Sequence, residues 1–370
     1  EYGAKSFDDA RALASQSLLS SMMIQEEQVI LGGNNSLALG TTPTPSAAGA
    51  TTGGALAAAT YSVICVALTH IAWRNASVTG GIALSATRTN VDGSTDTVKS
   101  GAARKSAAAT FTVASGTTGS GTASVTPVNG AVAYAWYWGA ASSETLGAIT
   151  TINSIAITAA ATGTQLASAL PAADDSQDSL VFDGFFAQLF TGGSGAIITN
   201  LATGTAGVGT ALTSDGAGGV NEIDAELMKF WNNSRLSPTD MYMSASTMAA
   251  VNKLVIANGG APLIRYAMDN GGAMLNAGFV IGSYLNKVTN AQIKVKVHPD
   301  MPDGRIFFYS DSVPYPVSNV GALSQIKCRQ DYYQIDWPVV TRKRQFGVYC
   351  DALLQCYFPP AYGLLGNIKV

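Results

Sequence analysis

Few residues in this 370-residue chain could do chemistry, and their spacing limits what they could do. Two histidines are present: His70, inside an apolar run, and His298, directly before Pro299 in a turn. Nucleophilic catalysis needs a base beside a Ser or Cys, oriented by a third group. Neither histidine has such a setting, and each reads as structural. The four cysteines, Cys65, Cys328, Cys350 and Cys356, form no Cys-x-x-Cys pair, so no zinc site and no disulfide scaffold is indicated. Cys350 and Cys356 lie an even number apart in strand-like sequence, hence on one face, and the cysteines read as small buried thiols. The Gly-rich stretches Gly192–Gly195 and Gly204–Gly219 lack the Gly-Lys-Ser/Thr of a phosphate loop and read as loops. The carboxylate pairs Asp174/Asp175 and Asp300/Asp303 stand in linker and turn sequence and read as solvated. No cofactor, metal or catalytic set emerges, which points away from an enzyme.

Charge is the remaining signal. Glu26 and Glu27 stand near the C-terminal end of an expected helix, where the macrodipole disfavours them and a basic partner is wanted. Arg342-Lys343-Arg344 is the only compact basic cluster. In a strand Arg342 and Arg344 share a face and Lys343 points the other way. Pairing within or between subunits, nucleic-acid contact and plain solvated charge all remain open for it. Glu26, Glu27, Arg342, Lys343 and Arg344 are the candidate intersubunit contacts.

The elements that must position these groups change texture along the chain. Residues 7–31 predict a long helix: Leu18, Met22 and Val29 share a face, and Leu19, Met23 and Ile30 run alongside. Ser6 with Asp9 resembles a capping box, and Gly32-Gly33 supplies a stop. Residues 40–54 have linker chemistry. Between about 55 and 170, β-rich runs broken by Gly, Asn-Gly and Asp-Gly predict a β-sandwich, with a hairpin at Asn129-Gly130. Tyr61–Trp73 and Ala131–Trp138 read as buried strands, too short for the ~20 residues that cross a bilayer. Beyond Pro171, a short acidic linker leads to mixed α+β sequence. Helices are expected over 221–235, capped by Asn221, and over 245–257, ended by Gly259-Gly260. Strands are expected where Ile293, Val295 and Val297 alternate with Lys294 and Lys296, over Arg305–Tyr309, and from Tyr333 to Phe358.

Composition favours assembly. Charged residues make up 12%, about half the roughly 25% usual for soluble proteins, while apolar residues reach 47%. So weakly charged a surface is sticky unless other subunits cover it. The net charge of −3 lacks the basic excess of a dedicated nucleic-acid binder.

Phe182-Asp183-Gly184-Phe185-Phe186-Ala187-Gln188-Leu189 resembles the Phe-Asp-Gly-Leu…Gln signature at the entry to the peripheral domain of HK97-like major capsid proteins, with Phe185 where Leu is commoner. Gly282-Ser-Tyr-Leu-Asn and Val297-His-Pro-Asp-Met-Pro-Asp-Gly304 are similar to the axial domain's strand–turn–strand. Pro314-Tyr315-Pro316 and Gly347–Tyr362 are similar to the family's late strands. The resemblance covers 1–40 and 171–370. It implies an α+β HK97-like fold with a spine helix at 7–31 and peripheral and axial domains over 171–370. The segment 1–54 would hold the spine helix and linker, and 55–170 an inserted Ig- or fibronectin-III-like sandwich without the inter-sheet cysteine pair. The family's N-terminal arm and extended hairpin are expected ahead of Glu1. The implied function is a shell of homo-hexamers and homo-pentamers around double-stranded phage DNA, bound without sequence specificity. It would assemble in the host bacterial cytoplasm and reside in the virion. Scaffold, portal and decoration proteins are the further partners implied, and no membrane. The insertion would decorate the exterior. The alternative is a secreted or cell-surface adhesion protein with an Ig-like domain, suggested by the Ser/Thr/Gly-rich β-region.

Overall fold

α1 (Tyr2–Gly32) is one 31-residue helix, about 45 Å long at 1.5 Å per residue. It begins ahead of the start expected at Ser6, and ends as expected, with Gly33 N–H donating to the Val29 carbonyl at 2.8 Å. The computed structural model describes residues 2–258, 268–269, 272–273, 281–313, 321–339 and 345–370. Their architecture is mixed α+β with strand predominant. Among them no helix is long and apolar enough to cross a membrane.

After α1 the chain enters a β-sandwich. The stretch read as a linker contains a strand, β1 (Ser46–Ala50). There follow β2 (Ala59–Leu68), the short helix α2 (His70–Arg74), β3 (Ala86–Thr89), β4 (Thr95–Val98) and β5 (Ala109–Val113). β6 (Ser120–Ser124), β7 (Ala133–Gly139), β8 (Thr145–Thr150) and β9 (Ser154–Ile157) complete it. One sheet has the order β1-β6-β9 and the other β5-β2-β7-β8, with β3 and β4 a separate hairpin. The turn at Asn129-Gly130 is no hairpin, because the strands it joins, β6 and β7, lie in different sheets. The continuous apolar runs have a physical reason: β2 and β7 are buried on both faces. Val63, Cys65, Trp136 and Trp138 face the opposing sheet, while Ile64, Val66, Leu68 and Tyr137 build a second core behind. The run to Trp73 is not one strand. The Thr69 hydroxyl accepts the Ala72 N–H at 3.4 Å and starts α2, turning His70 out of the sheet.

The main body follows: α3 (Phe185–Phe190), β10 (Ile197–Asn200), α4 (Asn221–Ser234), β11 (Asp240–Met243), α5 (Ala245–Asn258) and the two-residue strands β12 (Met268–Asp269) and β13 (Gly272–Ala273). Then come β14 (Ser283–Asn286), β15 (Ala291–Val297), β16 (Ile306–Tyr309), β17 (Ser324–Asp336), β18 (Phe346–Cys356) and β19 (Gly363–Gly366). Six strands form a mixed sheet, β10-β19-β16-β11-β15-β14, while among the described residues β17 and β18 pair only with each other. α4 has Ile223, Leu227 and either Phe230 or Trp231 on one face by its spacing, and it buries Phe230 with the first two while Trp231 is exposed. Its N-cap position is Val220, and Asn221 instead bonds the loop at Thr213 and Ser214. In β15, Ile293 is buried but Val297, at the strand end, is 51% exposed. Pro314-Tyr315-Pro316 and Gly259-Gly260 lie outside the described residues.

The doubly buried sheet carries the sandwich. Trp136→Ala, which empties a fully buried site, is expected to cost about 3–5 kcal/mol in chemical denaturation, with loss of the sandwich's cooperative transition.

Candidate functional site

Two places join distant parts of the chain. The first is where the segment Phe182–Gln188 meets the end of α1. Asp183 Oδ1 accepts the N–H groups of Asn35 and Ser36 at 2.7 and 2.9 Å, holding the chain as it leaves the helix. Gly184 N–H donates to the Gly33 carbonyl at 2.9 Å. A Cβ on Gly184 would come within 2.3 Å of the Val29 carbonyl oxygen and 2.8 Å of the Gly32 and Gly33 nitrogens. Only glycine lets these backbones touch. Gln188 Nε2 donates to the Asp183 carbonyl at 2.8 Å and to the Leu354 carbonyl of β18 at 2.7 Å. Phe185 and Phe186 are driven into the core, where Phe185 meets the rings of Phe307, Tyr309 and Tyr362. Between them, Asp183, Gly184 and Gln188 thus tie α1, α3 and the β17–β18 ribbon together.

Beside this knot, α1, the ribbon and the main sheet enclose an open groove of about 710 Å³. Its floor is apolar and aromatic, with Phe185, Phe307 and Leu354, and Glu26 and Glu27 stand on its wall. The Tyr332 hydroxyl donates to Glu26 Oε2. Glu27 Oε1 lies 3.1 Å from His298 Nε2. The acidic pair at the helix end thus has a phenol and an imidazole as partners. Arg342, Lys343 and Arg344 lie outside the described residues.

The second place is the joint between sandwich and body, centred on Asp300. The Asp300 carbonyl lies 2.7 Å from His70 Nε2, and its N–H donates to His298 Nδ1 at 3.1 Å. A carbonyl can only accept, so His70 carries its proton on Nε2, and its buried Nδ1 has no partner. By the same logic His298 has a bare Nδ1 and donates from Nε2 to Glu27. The Asp300 carboxylate takes Arg74 Nη2 at 2.7 Å. Burial lowers the His70 pKa to about 4, against the opposing pull of Asp300. Glu27, His298 and Asp300 bring three ligand atoms, two carboxylate and one imidazole, within 4.8 Å of one another, yet they suit a metal poorly. Neither His298 nitrogen has a free lone pair, and Asp300 is committed to Arg74. At the other end of the joint, Arg305 Nη2 donates to the Ala131 carbonyl at 3.0 Å. Arg305 is buried, and no carboxylate among the described residues pairs with it. Desolvation lowers its pKa. Val132 of the sandwich is part of the main core.

Several sequence readings change here. Asp175 is not solvated: Lys99 Nζ lies 2.8 Å away, and the Ser85 hydroxyl and Ser100 N–H also donate to it. Burial pushes its carboxyl up, but those donors outweigh burial and hold it below the usual value. Asp300 is also buried. All four cysteines are free, but Cys328 is exposed. Cys65 is fully buried, and burial takes the Cys356 thiol to about 12, so neither offers a thiolate. The residues that sequence reasoning missed are Arg74 and Tyr332, and Asp300 was taken for a solvated turn carboxylate. A Thr-His step closing an apolar run was a cue for α2, whereas nothing local marks Tyr332.

No family model matches the chain, and no curated protein matches it.

The knot is testable without knowledge of function. Gln188→Ala should destabilise the body by about 1–3 kcal/mol, because the Leu354 carbonyl loses its donor. Gly184→Val should do more, abolishing the native transition in thermal unfolding, since its nearest neighbours are backbone atoms that cannot yield.

Proposed function

We propose that the chain is a structural subunit of an icosahedral shell, the major capsid protein of a tailed bacteriophage of the HK97-like type. What carries the reading is a long helix laid along a long two-stranded ribbon that no third strand joins among the described residues. A two-stranded ribbon is marginal by itself in water. Both it and the helix present apolar side chains to solvent: Leu13, Met23 and Ile24 on α1, Ile326 and Leu353 on the ribbon. With only 12% charged residues, such surfaces favour cover by neighbouring copies.

On this reading α1 is the spine helix, and with the ribbon it forms the peripheral domain. The six-stranded sheet with α4 and α5 is the axial domain, and the sandwich is an Ig-like insertion. Copies associate as hexamers and pentamers through many modest, repeated contacts. Glu26 and Glu27 are proposed to meet the Arg342-Lys343-Arg344 segment of the same or a neighbouring subunit. The cargo is double-stranded DNA, enclosed rather than gripped, which suits a net charge of −3. The role is mechanical and not catalytic. The sandwich is more than an ornament, since its excision would strip Val132 from the main core and leave Asp300 without Arg74.

Negative-stain electron microscopy with light scattering tests this. Rings, tubes or shells with hexameric units are expected. A monodisperse monomer at high protein concentration, with and without the proteins of its phage, would overturn it.

A further inference from the structure

Asp300 presents both polar groups of its backbone to imidazoles, His70 taking the carbonyl and His298 the N–H. The His70 ring would accept a second proton at Nδ1, and that site cannot receive it. His70 Nδ1 is buried without a partner, packed against the backbone of Gly32, where a Cβ would lie 2.7 Å from it. From the other side of Asp300, His298 Nδ1 accepts its N–H and so holds the turn that His70 grips. We propose that this end of the joint is an acid-released latch, in which protonation of His70 frees α2, and with it one end of the sandwich, from the 298–304 turn.

The groups facing His70 are accounted for on every side. Its own helix supplies Arg74, whose positive charge opposes protonation. The turn supplies Asp300, which favours it, and His298, which opposes it. α1 presents the Gly32 backbone, and α3 the edge-on ring of Phe186 at 5.7 Å. Elsewhere the joint does not respond to acid in this range: Arg305 to the Ala131 carbonyl, Asn153 to Thr203 at 3.2 Å, and Gly207 N–H to Ser154 at 3.0 Å. Release is therefore local, and the sandwich pivots on these contacts instead of unfolding.

The direction follows from linkage. His70 binds a proton less readily closed, near pH 4, than free, near 6.5. The latch is fully stable above 6.5 and weakens as the pH falls through that window. Opening should grow up to about tenfold per unit, to about 150-fold at pH 4.

Hydrogen-exchange mass spectrometry on the full chain between pH 7 and 4, corrected for intrinsic exchange rates, reads this out. Peptides covering 69–75 and 298–304 should lose protection across the window while β7 keeps it. The variant His70→Gln keeps a donor toward the Asp300 carbonyl but cannot titrate, and its pH response should be flat. The same response in that variant, or loss of β7 protection in the same step, would overturn the proposal. Should the variant fail to fold, NMR titration of His70 in the wild-type chain decides. A depressed midpoint supports the latch, and an ordinary one refutes it. These readouts need no assembly, so they stand or fall apart from the capsid reading.

Discussion

At the end of α1, two stretches of backbone approach so closely that no side chain fits between them. The Gly184 amide bonds the Gly33 carbonyl, and the absent Cβ of Gly184 leaves the Val29 carbonyl oxygen room to lie where it does. The rest of the body is referred to this contact. It sets the angle at which α3 leaves the helix and drives Phe185 and Phe186 into the aromatic core. Through Gln188 it also fixes where β18 runs beside α1. Because the contact is backbone to backbone, it tolerates little slack, and the elements attached to it inherit that rigidity.

The sandwich is connected in a different manner. Its own cores, on both faces of the β5-β2-β7-β8 sheet, make it self-sufficient. Besides Val132, which enters the main core, it meets the body through polar contacts that include the His70 imidazole, the Arg74–Asp300 pair, the Arg305 guanidinium on a carbonyl, and the Asn153 and Ser154 bonds to the loop at 203–207. Polar contacts of this kind carry direction but modest net energy, since water competes for each group. A rigid knot at one end of α1 and a polar joint beside it therefore give the chain a firm frame and an adjustable appendage. On the proposed reading, that division suits a subunit held in register with its neighbours while the sandwich stays responsive.

How much of this could be read from the sequence depends on the range of the interactions. Periodicity and punctuation are local, so the long helix with its Gly32-Gly33 stop, the β-rich character of the middle region, and the buried face of α4 were all legible. The segment around Asp183, Gly184 and Gln188 stood out as a pattern, though its purpose did not, because its partners lie about 150 residues away along the chain. Local rules also misled. Asn129-Gly130 has hairpin chemistry, yet the flanking strands found partners in different sheets, where burial outweighs turn preference. The stretch over 40–54 looked like a linker, but an edge beside β6 was open to it and β1 formed.

Secondary structure, the apolar faces and the scarcity of charge were thus determined by the sequence itself, since each rests on neighbours within a few turns or strands. The tertiary structure alone decided the environment of the polar groups. Asp175 and Asp300 look like surface carboxylates until Lys99 and Arg74 arrive from other elements. His70 looks like a strand residue until α2 carries it under Asp300. Burial and electrostatics depend on what is brought close from far along the chain, and no local pattern encodes that distance.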